Sequence, residues 1–546
     1  MTETFTPRTL GTVLEEVAAR LPSRRALVFE DVAFTYSELL GRVRTLARGL
    51  LAIGLEPGAK VGVWLPNCVE WITLNLAVAS IGGVTVPINM RYRTEEAEYI
   101  LGQSDCELLA MTDQVQQTDY YGMITEVCPE LLEAGGGDLK SVRLPRLRRV
   151  LGLRGRRPAG VAPFTDLERL SVEVTEEDLS ERARSVAPDD ICHIQYTSGT
   201  TARPKGAMHP HVTLLRDSYE ICQAMRIAEP DVLFSALPLY HIAGYASAFL
   251  SAFQNGGTFV TADHFDPGKS LELIERERCT IIRGVETMFI MIMAHPDFDR
   301  YDVSSLRGGV CGSNAPDVLQ AVYNKMGVRE LTSVFGLSET ASASTMTRVD
   351  DPLKTRIETQ GRPLPGIEVR IAEPETGSPL PRGAQGEILV RGWNVMKGYY
   401  DKPKETAETI DAEGWLHTGD LGLQDSDGNL RFIDRIKDVI RVGGENVSAA
   451  EVESFLYRHP KVELVQVVAG PDPRLGQVCV AYVKARAGSD CSAEEVIEFC
   501  RGKIASFKVP RHVFFVDEFP LTGSGKVQKF LLRDLARQAL EPSGAA

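Results

Sequence analysis

The sequence predicts an α/β protein: a large N-terminal region of parallel-sheet subdomains, a small β-barrel-like subdomain, and a smaller α+β C-terminal domain. Three observations carry that expectation. Short apolar runs alternate with helical patterns from Val61 to Ile88, and the alternation returns over residues 231–311. Strands separated by helices pair in parallel, because each crossover lays its helix on a face of the sheet. After residue 362 glycine and proline become dense (Pro363, Pro365, Gly366, Pro374, Gly377, Pro379, Pro381, Gly383, Gly386), which suits short antiparallel strands such as Glu387–Val390. Beyond Ile436 a new α+β order begins.

Taken in order, Leu10, Val13, Leu14, Val17, Ala18 and Leu21 share one helical face. Val32-Ala33-Phe34 reads as a strand. Thr35 and Glu38 then have the spacing of a capping box, each side chain satisfying the other's free N–H, and the helix runs through Leu51 to Gly54. Val61–Leu65 is a buried strand, 68–81 a helix and Val84–Ile88 a strand. Residues 133–160 break the rhythm. Gly135, Gly136 and Gly137 precede eight Lys or Arg between Lys140 and Arg157, with no acidic residue among them. A polar connection flanking an edge strand near Leu147–Leu153 explains them. Strands follow at Ile191–Tyr196, Val232–Leu237 and Thr258–Val260, and the pattern continues over 281–294 and 306–311. The C-terminal part reads as helix 448–458, strands 463–469 and 478–484, helix 492–505 and strand 512–516.

With 546 residues the chain can form about three or four domain-sized units. Its 43% hydrophobic and 25% charged content is that of an ordinary globular protein. A net charge of −14 argues against nucleic acid as a bulk partner. No apolar run reaches the roughly 20 residues of a membrane-spanning helix, and Met1–Arg8 lacks a secretory core. Ten scattered cysteines without a C-x-x-C pair suit reduced thiols. The expected location is cytoplasmic.

The chemistry centres on Tyr196-Thr197-Ser198-Gly199-Thr200-Thr201-Ala202-Arg203-Pro204-Lys205-Gly206. A strand ending in small hydroxylated residues and glycine gathers N–H and hydroxyl groups into one concavity, which suits a polyphosphate, and Lys205 adds a cation. A Walker loop needs Gly-Lys followed by Ser or Thr. Here Lys205 stands between Pro204 and Gly206, so a P-loop NTPase is a poor fit. The stretch closely resembles the phosphate loop of the adenylate-forming superfamily, which includes acyl-CoA synthetases, luciferases and the adenylation domains of peptide synthetases. Ala202 stands where that family usually has glycine.

Further stretches carry the same resemblance, in the family's order, along almost the whole chain after residue 190. Pro238-Leu239-Tyr240-His241 looks like the segment between acid pocket and thiol path. Gly308-Gly309-Val310-Cys311-Gly312-Ser313-Asn314-Ala315-Pro316 resembles the adenine-binding stretch, with Ser313, Asn314 and Ala315 at the base. Phe335-Gly336-Leu337-Ser338-Glu339-Thr340 is similar to the motif whose aromatic stacks on adenine and whose glutamate, a hard oxygen ligand, takes Mg²⁺. Gly414-Trp415-Leu416-His417-Thr418-Gly419-Asp420 and Asp434-Arg435-Ile436-Lys437-Asp438 look like the ribose motif and the hinge. Gly443-Gly444-Glu445-Asn446 resembles the loop lining the pantetheine tunnel, and Pro520-Leu521-Thr522-Gly523-Ser524-Gly525-Lys526 the loop of the adenylation lysine.

The resemblance implies an ATP-dependent ligase that activates a carboxylic acid as acyl-AMP and transfers the acyl group to CoA, with Mg²⁺ as cofactor. It implies catalytic roles for Lys526, Thr200, Lys205, Glu339 and His241, with Thr200 and Glu339 toward the metal. Thr197, Ser198, Gly199, Thr201, Phe335, Gly336, Thr340, Asp420, Arg435, Gly443 and Gly444 complete the nucleotide and CoA contacts. The acid pocket is expected near Tyr240, Gly244, Val285, Glu286, Val310, Cys311, Gly312 and Leu337, for a short-to-medium-chain, branched or hydroxylated acid. Glu286 falls where relatives usually carry proline, either facing solvent at a helix start or meeting a substrate hydroxyl. The implied division is 1–434 for the ATP and acid sites, a hinge at 435–437 turning on Lys437, and a mobile domain 438–546. Arg441, Arg474, Lys503 and Lys508 are candidates for the CoA phosphates. The partners are the small acid and CoA, with no nucleic acid, no membrane span and a homodimer left open. A carrier-protein-loading enzyme, a luciferase-like oxygenase and a non-catalytic nucleotide-binding regulator are the alternatives.

Overall fold

The computed structural model describes residues 5–133, 138–197, 203–313, 315–443, 445–521 and 527–540. Gly135, Gly136 and Gly137 therefore lie outside the described residues.

Two seven-stranded sheets form the large region. The first runs Glu330–Thr332, Gly308–Gly312, Ile281–Val285, Val232–Phe234, Thr258–Thr261, Arg25–Phe29 and Val32–Thr35, parallel except for its last pair. The second runs Lys205–Pro210, Ile191–Thr197, Val84–Pro87, Lys60–Trp64, Cys106–Met111, Arg149–Gly152 and Val161–Pro163, antiparallel only at its first pair. The strand expected near Leu147–Leu153 is thus one place in from the edge. Val161–Pro163 takes the edge itself, where a proline's missing N–H costs no ladder bond.

Helices Tyr36–Ala52, Val69–Ser80 and His211–Met225 share one apolar core with strands of both sheets. Val69–Ser80 is buried on nearly every side, as its all-round apolar sequence requires. The capping box forms: Glu38 N donates to Thr35 Oγ1 at 3.2 Å and Thr35 N to the Glu38 carboxylate at 2.8 Å.

The Gly- and Pro-rich stretch folds into a four-stranded antiparallel sheet, Ile367–Ala372, Gly386–Gly392, Leu416–Gln424 and Leu430–Arg435. A five-stranded sheet follows, with Val462–Asp472 and Gly476–Ala485 as its long ribbon and helices Ala449–Leu456, Ala493–Cys500 and Lys529–Leu540 beside it. The helix expected over 492–505 stops at Cys500, because Arg501 turns extended and Gly502 takes φ +69°. Nine of the ten cysteines are buried and Cys491 is half-buried, all as free thiols. Among the described residues no helix is long and apolar enough to cross a membrane.

Candidate active site

The strand Ile191–Thr197 turns back on Lys205–Pro210, so Thr197 pairs with Lys205, and Thr197 Oγ1 donates to the Lys205 carbonyl at 3.4 Å. A helix begins only at His211. A second, antiparallel strand stands where a Walker site has a helix, in keeping with the Pro-Lys-Gly order. Ser198, Gly199, Thr200, Thr201 and Ala202 lie outside the described residues.

Residues 396–400 lie along the outer strand of this hairpin as a strap. Lys397 N donates to the Met208 carbonyl (3.0 Å), Met208 N to that of Gly398 (3.0 Å) and Tyr400 N to that of Gly206 (2.8 Å). The strap places the Tyr399 ring 4.5 Å from the Lys205 ammonium and its hydroxyl 2.9 Å from Glu339 Oε1, to which it donates. Burial, then the Glu339 charge, raise the Tyr399 phenol pKa, so it stays a donor. Met396 N donates to the Glu339 carbonyl at 2.8 Å. From the hairpin side, His209 Nε2 donates to the Ser338 carbonyl at 2.7 Å, and burial pushes that imidazole down to about 4, leaving it neutral. Lys205 and Glu339 are thereby brought to one place. Tyr399 and His209 were missed by sequence reasoning. Their signals were the Gly398-Tyr399-Tyr400 aromatic pair and a histidine beginning no helix, neither of which points to a partner.

The turn carrying Glu339 is tight. A Cβ at Gly336 would stand 2.1 Å from the Ser342 carbonyl oxygen, so only glycine fits. Thr340 Oγ1 accepts from Leu337 N at 2.9 Å, and Leu337 packs against Ala207, Met396 and Tyr399. Phe335 is buried, its ring 5.9 Å from that of Phe432.

At the C-terminal ends of the first sheet's parallel strands, Val285 pairs with Gly312. Val310 and Cys311 point to opposite cores. Ser313 Oγ accepts from Ala315 N at 2.9 Å and donates to Glu286. Glu286 is therefore turned inward onto Ser313 rather than out to solvent. Burial raises its pKa, and the Ser313 hydroxyl only partly opposes this. Asn314 lies outside the described residues. Asn67 braces the segment Leu237–Leu239, donating to the Leu237 carbonyl at 3.1 Å and accepting from Leu239 N at 2.8 Å. The Tyr240 ring sits 4.9 Å from His241, and Gln195 Nε2 donates to the Tyr240 carbonyl at 3.1 Å. Gly244 starts close to Pro238, whose carbonyl oxygen a Cβ would approach to 2.2 Å, inside the π-helix Ala243–Phe249. Single π-turns gather at functional sites.

Asp420 and Arg435 face each other across neighbouring strands, Nε to Oδ1 at 3.4 Å. The carboxylate is 3% exposed and the guanidinium side chain 42%, so the pair presents its cation outward. Asp434 accepts from Ser448 Oγ (3.3 Å) and Ala450 N (3.4 Å), tying the segment before the expected hinge to the start of helix Ala449–Leu456. Gly443, at φ +58°, turns the chain between Ile440–Val442 and Glu445–Val447. Gly444, Lys526 and the side chain of Lys437 lie outside the described residues. Of the CoA-phosphate candidates, Lys508 pairs with Glu451 at 2.5 Å and Lys503 sits 4.3 Å from the Phe499 ring.

The profile of the AMP-binding enzyme family matches residues 14–400, and that of the AMP-binding enzyme C-terminal domain residues 451–526. The chain is 40% identical over 530 residues, 96% of each protein, to YngI of Bacillus subtilis (strain 168), whose name proposes an acyl-CoA synthetase. It is 37% identical to the mitochondrial medium-chain acyl-CoA ligase ACSF2 of Homo sapiens, over 96% of this chain and 87% of that protein. Among solved structures, the anthranilate CoA ligase AuaEII in complex with anthranoyl-AMP superposes with a TM-score of 0.87 at 25% identity over 98% of both chains. ATP-bound MatB from Rhodopseudomonas palustris superposes with a TM-score of 0.80 at 28% identity, over 98% of this chain and 100% of that one.

Proposed function

The chain belongs to the AMP-binding enzyme family, and from that premise we propose that it is an ATP-dependent acid–CoA ligase acting on a short-to-medium-chain, branched or hydroxylated acid. The observation that carries the proposal is the meeting of Lys205, Tyr399 and Glu339 at the mouth of the hairpin. A cation and a carboxylate held by a phenol are what a leaving pyrophosphate and its magnesium ion require.

The difficulty in the reaction is charge. An acid's carboxylate oxygen attacks the α-phosphorus of ATP, and the bond to the bridging oxygen breaks as pyrophosphate leaves. Lys205 holds the β and γ phosphates, with Thr197 and the residues up to Thr201. Glu339 suits Mg²⁺, which supplies charge neutralisation on the phosphates when bound. Phe335, Gly336, Thr340 and the 313–315 segment hold the adenine, and Asp420 with Arg435 the ribose. Lys526 orients the carboxylate against the α-phosphate. In the second step the CoA sulfur attacks the acyl carbon, the bond to AMP breaks, and the thiol proton is lost. Lys526 must then withdraw to free the approach. Residues 438–546 turn about Lys437 and bring Gly443 and Gly444 against the thiol arm, with His241 gating its path.

A panel of carboxylic acids with ATP and Mg²⁺, assayed for pyrophosphate, AMP and thioester with and without CoA, tests this. Thioester and AMP formed with CoA are expected. Pyrophosphate released while CoA stays unacylated would replace the ligase by a carrier-loading or oxygenase reading. ATP binding without pyrophosphate release from any acid would favour a non-catalytic regulator.

A further inference from the structure

Among the elements that carry the expected acid-pocket residues lies an unused pair of buried charges. Arg283 lies in the strand Ile281–Val285, 3% exposed, and its Nη1 has no hydrogen-bond partner. Asp217, on helix His211–Met225, is fully buried, and each group feels the other's charge. Among the described residues no ion pair joins them. The Asp217 carboxylate instead accepts from Ser342 Oγ at 2.5 Å and from Ala343 N at 2.9 Å. Burial pushes this carboxyl up to about 7 against the Ser342 and Ala343 hydrogen bonds and then the Arg283 charge, and it pushes the guanidinium down to about 10 against the Asp217 charge.

A buried guanidinium with an idle donor is costly, because its N–H groups have given up water for nothing. Its place in the fold suggests what compensates it. Arg283 stands two residues before Val285 and pairs with Val310, on the sheet face that Val310 shares with helix His211–Met225 and opposite the one carrying Cys311 and Met288. Ser342 follows Glu339 by three residues and is only half-buried, so the cluster opens toward that side. Ala341 at φ +59° and Ser342 at φ +142° hold strained backbone for residues other than glycine, and such strain gathers at ligand clamps.

We propose that Arg283, with Asp217 and Ser342, is the polar floor of the acid pocket, and that the preferred acid carries a neutral hydrogen-bonding group at its far end, a hydroxyl or carbonyl, that accepts from Arg283. The inference rests on the ligase reading above. The group is neutral because burial at this place already opposes the charge on Asp217. A second carboxylate would add an uncompensated buried charge.

The test compares kcat/KM for thioester formation with ω-hydroxy acids against alkyl acids in which a methyl replaces the hydroxyl, across short to medium lengths. The wild-type enzyme is expected to favour the hydroxy acid of the best length by at least about tenfold, since a site built to bond a hydroxyl rejects its apolar analogue. Arg283→Met, which puts an apolar side chain of similar length in place of the buried cation, is expected to reverse the order and raise activity on the alkyl acid. Arg283→Gln, which keeps donors without the charge, should retain part of the preference. A wild-type preference for the alkyl acid would overturn the proposal without any variant. So would an Arg283→Met enzyme that loses both acids alike. If neither series releases pyrophosphate while the earlier panel finds an active acid, the polar floor is wrong and the ligase stands. If no acid is active anywhere, the ligase reading falls first and the floor with it.

Discussion

Tyr399 donates its hydroxyl to the Glu339 carboxylate at 2.9 Å while its ring faces the Lys205 ammonium. One side chain thus sets both charged groups of the proposed pyrophosphate site. Tyr399→Phe keeps the ring and removes the donor, and pyrophosphate release is expected to fall about tenfold, the worth of a hydrogen bond to a charged acceptor. Tyr399→Leu should fall further, because Lys205 loses its aromatic face as well. Rates measured over a range of Mg²⁺ check this. A Phe variant as active as the parent would remove Tyr399 from the site.

The two half-reactions should separate. Lys526→Ala is expected to abolish adenylation, by about 10²–10³ or more for one preorganised group, while transfer from supplied acyl-adenylate continues. Gly444→Leu should do the opposite. Stopped assays of each half-reaction decide it, and equal loss of both in either variant contradicts the rotating C-terminal domain.

Asp420→Asn preserves shape and removes the charge that Arg435 faces at 3.4 Å. The KM for ATP is expected to rise about tenfold with a small change in kcat, since the ribose hydroxyls do not react. An unchanged KM for ATP would move the ribose elsewhere.

His209 gives a pH signature. Its folded pKa is about 4 against an ordinary 6.5, so an unfolded chain takes up the proton first as the pH falls. The stability lent by neutral His209 is present above pH 6.5 and lost as the pH falls toward 4. His209→Gln does not titrate, so the gap in apparent Tm between parent and variant should narrow over that window. His193 and His211, lowered in the same way, and Asp217, raised, titrate in both proteins and largely cancel in the difference. A gap constant with pH would mean that His209 is not held neutral against Ser338.

Much of the architecture was legible because it is written in neighbouring residues. The Thr35 and Glu38 pair announces a helix start, and Ile191–Tyr196 announces the strand that ends at Thr197. The candidate site residues Lys205, Glu339, Asp420 and Arg435 could be named from short motifs. What joins them could not. Tyr399 reaches Glu339, His209 reaches Ser338 and Asn67 reaches Leu237 only after distant segments pack. Glu286 at a helix start reads equally well as a solvent-facing cap, and only the position of Ser313 turns it inward. Val161–Pro163 was overlooked because a three-residue strand ending in proline carries no periodicity to detect.

The strap of residues 396–400 bears on how the chain is born. Its backbone bonds to Gly206 and Met208 finish the outer edge of a hairpin that left the ribosome long before. Until the strap arrives, the Lys205 strand is an unpaired sheet edge and Glu339 lacks its phenol. Edges of that kind invite pairing with other nascent chains, which gives chaperones a reason to attend this interval of synthesis. A polypeptide halted between Thr332 and Met396 would carry both seven-stranded sheets in its sequence and still lack the strap that bonds to Gly206 and Met208.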